Sequence, residues 1–99
     1  MILVAGTVKL PEDGLEKLIP AAAVMIAETL KEEGCIRYAY AQDILDPSIM
    51  HVSEAWRDLD ALIAHSTAKH MKVWSAAVSE VGVLERDLKR YDTDEGTTI

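Results

Sequence analysis

The chain has 99 residues, 49% of them apolar, and a net charge of −7. That length holds one domain with a real core and not two. The acidic balance, with no lysine–arginine block, disfavours nucleic acid and anionic membranes as partners. A lone cysteine, Cys35, cannot form an internal disulfide. The longest apolar run, residues 18–27, is far too short to span a bilayer. The N-terminus is apolar but lacks a basic leader region, so a soluble, cytoplasmic protein is expected.

Residues 1–10 read as a strand, with Ile2, Val4 and Val8 on one face and Leu3, Ala5 and Thr7 on the other. Both faces are apolar enough to predict burial on both sides. After a turn at Pro11–Gly14, the spacing of Leu15, Leu18, Ile19, Ala22, Ile26 and Leu30 predicts a helix over 13–33. Pro20 should kink that helix or mark a late start, and Gly34 is placed to cap it.

Residues 35–45 form the second predicted strand, with Ile36, Tyr38, Tyr40 and Gln42 on one face. Asp46, Pro47 and Ser48 signal a turn, and residues 49–56 form a third strand, so the two make a hairpin. Asp58 is a suitable N-cap for a second helix that begins near Leu59 and passes through His65 and His70 to Ser79. Gly82 ends it, residues 83–92 form the fourth strand, and 93–99 is a polar tail outside the single domain at 1–92. The order β-α-β-β-α-β is the ferredoxin-like split β-α-β plan of the α+β class. Two helices cover one face of such a sheet, and a second copy is the simplest cover for the other, so a homodimer is expected.

Residues 32–70 carry a recognisable series. Glu32 or Glu33 precedes Gly34 and Cys35; Tyr38 follows on the strand; then come Asp46 with Pro47, Glu54 with Trp56 and Asp58, Ala61 with Leu62 and His65, and His70. This series resembles the antibiotic biosynthesis monooxygenase family, in its quinol-monooxygenase-like branch. The resemblance implies a dimeric α/β-barrel with the two sheets face to face. It also implies a pocket in each subunit where a phenol, anthrone or quinol is oxidised by molecular oxygen with no metal and no flavin. The protein would deprotonate the substrate, orient it and exclude water. The chain contains no asparagine. Some relatives pair an asparagine with a tryptophan in the pocket, haem-degrading ones among them, and that mechanism therefore does not carry over. A quinol branch that relies on histidine does.

On a continuous helix, at about 100° per residue, Leu59, Leu62, Ile63, His70, Val73, Trp74 and Ala77 fall on one stripe. His70 would then face the apolar side, as a general base or as a hydrogen-bonded core residue. His65 lies roughly 100° from the stripe's centre, and a bend at His65–Thr67 would swing it inward. It is the position that the family motif favours. The two imidazoles would sit about 140° apart, unlike the i, i+4 spacing that chelates on one face, so no metal is expected. Glu54 and Trp56 share a strand face. They could accept a proton from, and stack on, a flat substrate, or they could be core, with Glu54 paired to Arg37 or Arg57. Tyr38, Tyr40 and Trp74 either shape an apolar slot or simply pack. The acids of residues 31–34 read as solvated surface, and Cys35 as a small buried residue without a catalytic role.

Two further readings share the fold. One is a module that binds an aromatic ligand without turning it over. The other is an isomerase or lyase that consumes no oxygen.

Overall fold

The computed structural model describes residues 1–99. The elements are β1 (Ile2–Lys9), α1 (Gly14–Thr29), β2 (Cys35–Gln42), β3 (Ile49–Trp56), α2 (Leu59–Ser66), α3 (Lys69–Val81) and β4 (Glu85–Asp92). The strands form one antiparallel sheet in the order β2-β3-β1-β4. This is the expected ferredoxin-like α+β plan, with its second helix in two pieces. No helix is long and apolar enough to cross a membrane.

Alternation along the strands sorts the sheet into two faces. Ile2, Val8, Tyr38, Met50, Val52 and Trp56 point to one side and pack with Leu15, Leu18, Ala22 and Met25 of α1 and Trp74 of α3. The opposite face carries several small side chains around its centre. Ala5 pairs with Ser53 and Ser53 with Ala39, while Thr7 pairs with His51 and His51 with Ala41. Ala39 and Ala41 are exposed, and on β1 only Ile2 and Val8, both on the helix side, are buried, while Leu3, Ala5 and Thr7 on the other side are half-buried.

The first helix ends four residues before the position predicted for it. Thr29 Oγ1 donates to the Met25 carbonyl (2.8 Å). Lys31 and Glu32 then donate their N–H groups to Glu28 and Thr29 in successive turns. Helix α1 runs through Pro20, and Gly34 is not its cap. Gly34 instead lies against α2: a Cβ there would overlap Ala61 Cβ. Its carbonyl accepts the Arg57 N–H at 2.9 Å.

Asp58 caps α2 as expected, its Oδ1 accepting the Ala61 N–H at 2.9 Å. The helix then breaks completely where the sequence suggests a bend. Ser66 and Thr67 turn their hydroxyls back onto the carbonyls of Ile63 and Ala64. Local bonds of this kind compete with the helical ladder. Ala68 is extended (φ −65, ψ 148) and resets the axis for α3. The inward stripe expected on a straight helix therefore holds only in part: Trp74 is buried and Leu62 and Ala77 pack against the core, while Leu59, Ile63 and Val73 are exposed. Helix α3 ends at Gly82, whose φ is +91.

Candidate active site

The break at Thr67–Ala68 brings the two histidines together. His65 stands in the last turn of α2 and His70 in the first turn of α3. Both reach one carboxylate oxygen, Glu32 Oε2. His65 Nδ1 lies 2.6 Å from it and His70 Nε2 lies 2.9 Å from it. An ionised carboxylate only accepts, so each of those nitrogens carries its proton. The remaining lone pairs are then on His65 Nε2 and His70 Nδ1. This overturns the expectation that the imidazoles diverge by about 140°. That angle holds for one straight helix, whereas the residues sit on two.

Glu32 is the residue that sequence reasoning missed. From sequence it reads as solvated surface, as does Glu33. Glu33 is indeed exposed, 3.4 Å from Arg57. Glu32 points the other way, its side chain only 19% exposed. The turns that follow α1 place it, because its own carbonyl accepts the Cys35 N–H. The available signal was its place in the motif ahead of Gly34 and Cys35.

His65 is 3% exposed. Its ring packs on Trp56 (centroids 4.6 Å) and edge-on to Tyr38 (5.2 Å). Trp56 is fully buried, and its Nε1–H donates to Glu54 Oε1 at 2.9 Å. Glu54 is thus partnered by its strand neighbour and not by Arg37 or Arg57. Arg37 donates instead to Ser53 Oγ. Burial pushes the Glu54 carboxyl above the usual carboxylate range. The Trp56 donor and the nearby His65 partly offset that, and Glu32 adds to it. The Tyr38 and Tyr40 hydroxyls share a hydrogen bond of 2.8 Å. Burial raises both phenols, Tyr40 to about 12 and Tyr38 further. Both stay protonated at neutral pH. Cys35 is half-buried, and burial raises its thiol, so it is not a ready nucleophile.

A cavity of about 420 Å³ lies between α1 and α3. Ala21, Val24 and Met25 line one wall, and His70, Val73 and Trp74 the other, with Glu28 and Lys69 beside them. Of the seven residues singled out from sequence, His70 and Trp74 border this cavity. His65 is joined to it through Glu32. Trp56, Glu54 and Tyr38 pack behind His65 and away from the cavity wall. Tyr40 lies against Trp74 (5.8 Å) and lines a smaller cavity of about 270 Å³ between α1 and β2.

The arrangement can hold a proton acceptor at the wall of an apolar slot. The carboxylate accepts from both rings and fixes their orientation.

Residues 1–77 match the family described as antibiotic biosynthesis monooxygenase. An uncharacterised protein of Synechocystis is 26% identical over 98 residues, which span 99% of this chain and 67% of that protein. A Deinococcus radiodurans protein, described as a candidate antibiotic biosynthesis monooxygenase, superposes with a TM-score of 0.89. It is 21% identical, and the match covers 100% of this chain and 98% of that one. A conserved Methanosarcina mazei protein superposes with a TM-score of 0.84 at 28% identity, covering 94% and 92% of the two chains.

Proposed function

The chain belongs to the antibiotic biosynthesis monooxygenase family, and from that premise we propose that it oxidises a quinol or related phenol or anthrone with molecular oxygen, without a cofactor. The observation that supports this reading most is His70, which borders the apolar cavity while sharing the Glu32 carboxylate with His65. On this reading a flat ring would lie in the cavity that Val24 and Val73 line, with its hydroxyl toward the His70 imidazole. Imidazole titrates near neutrality and suits abstraction of a phenolic proton. The resulting electron-rich anion passes an electron to oxygen. Recombination of the pair and loss of water convert quinol plus O2 into hydroxyquinone plus H2O. No outside reductant is consumed.

The active form on this reading is a homodimer in the cytoplasm. The outer sheet face, with Ala5, Ala39, Ala41 and Ser53, offers the small side chains that let a second sheet pack closely. Sedimentation at micromolar concentration should show a dimer, and a monomer would remove this part of the proposal.

The deciding measurement is oxygen uptake above autoxidation with reduced naphthoquinones and anthrones. Wild type is compared with the His65→Ala, His70→Ala double variant. Uptake that depends on the histidines supports the proposal. Uptake that ignores them moves the base elsewhere. Binding without uptake makes the protein a ligand-binding module.

A further inference from the structure

We propose that Glu32, His65 and His70 form a binding site for a divalent transition-metal ion, with Zn2+ as the best fit. His65 Nδ1, His70 Nε2 and a Glu32 oxygen lie within 4.8 Å of one another. Zinc bonds to imidazole nitrogen and carboxylate oxygen are about 2.0–2.2 Å long, which sets neighbouring ligand atoms roughly 3 to 3.4 Å apart. The two histidine–carboxylate distances, 2.6 and 2.9 Å, need only a small opening to reach that range, and the two imidazole nitrogens, within 4.8 Å of each other, would close toward it as the ion binds.

The donor set decides the kind of ion. Two imidazoles with one carboxylate suit zinc and its transition-metal neighbours; calcium and magnesium require oxygen donors. Burial supports the same assignment. His65 is clamped by Trp56 and Tyr38, so one ligand is fixed in orientation. Glu32 and His70 each keep 19% of their side chains exposed, which leaves an open side for entry and for a water ligand. The other histidine, His51, has a single carboxylate partner, Asp43, and half its side chain is exposed. It makes no comparable site.

Metal binding also rearranges the protons. An ion on His65 Nδ1 and His70 Nε2 leaves the ring protons on His65 Nε2 and His70 Nδ1. Those are the two lone pairs available for substrate deprotonation. Zinc and the phenolic proton therefore compete for the same imidazoles. This consequence rests on the proposed reaction; the binding site does not.

The test is titration of chelator-treated protein with Zn2+ and Co2+, followed by calorimetry, cobalt absorption and histidine ring NMR, with no substrate present. Wild type should bind one ion per chain, with shifts at His65 and His70 and none at His51. Losing a group that merely supports a ligand costs about 10–100-fold in metal affinity, so losing a ligand should cost at least ~100-fold. Glu32→Gln, which keeps the side-chain shape, and His70→Ala should both show that loss, and His51→Ala should show none. The proposal is overturned by absence of binding at millimolar metal. It is also overturned by binding that survives both ligand substitutions, or by wild-type shifts centred on His51. The wild-type NMR result decides the matter even if a variant does not fold.

Discussion

Removing the Glu32 carboxylate should expose how much the helix break depends on it. In Glu32→Ala the buried His65 N–H loses its only acceptor. A buried donor left unpaired costs about 1–3 kcal/mol. His70 is partly exposed, so water can replace its lost bond, and that loss is worth roughly 0.5–1.5 kcal/mol. The sum is about 1.5–4.5 kcal/mol, against the total stability of about 5–15 kcal/mol of an ordinary domain. Glu32→Gln retains an acceptor oxygen and loses only the charge assistance, so its cost should be nearer ~1 kcal/mol. Urea denaturation measures both, as a lower midpoint at unchanged slope. A cycle with His70→Ala should give a coupling energy within the ~0.5–3 kcal/mol range of residues in one network. A Glu32→Ala variant within about 0.5 kcal/mol of wild type, the level of an ordinary surface change, would refute the reasoning. So would a coupling energy near zero.

Gly34→Ala should destabilise by about 1–3 kcal/mol through its overlap with Ala61, and Ala61→Gly in the same chain should restore most of the loss in thermal melts. Glu54 has a raised pKa in the folded state, so its contribution to stability is full below the unfolded value and is lost as pH rises through the folded one. Glu54→Gln should therefore gain on wild type as pH rises above the usual glutamate range. A difference in urea midpoint that stays constant with pH would contradict this. Val24→Trp fills the cavity from an exposed position, so it should abolish naphthoquinone binding while stability stays within about 0.5 kcal/mol. Fluorescence titration beside a melt checks both halves.

Much of the fold was legible because its signals are local. The third strand occupies residues 49–56 as read, since Met50, Val52 and Trp56 alternate onto one face and turn residues precede it. Asp58 and Gly82 mark helix ends by their own chemistry. The break between α2 and α3 was foreseen only as a bend. Ser66 and Thr67 permit a helix as readily as they interrupt one, and tertiary packing decides between the two. Glu32 was illegible for a related reason. Two adjacent glutamates after a helix look alike in composition, and only the turn that points one inward separates them. The partner of Glu54 was misjudged because charge suggested an arginine, while the nearest donor was the indole two residues along the same strand face.

The three members of the histidine–glutamate cluster are anchored separately, one on the loop after α1, one on α2 and one on α3. The apolar cavity lies between α1 and α3, and α2 takes no part in its walls. A displacement of α3 away from α1 would change the His70–Glu32 distance and leave the bond between Glu32 and His65 of α2 in place. The cluster is thus a gauge of cavity width, with one arm fixed and one arm travelling. A guest that moved α3 would therefore shift His70 and leave His65 in place.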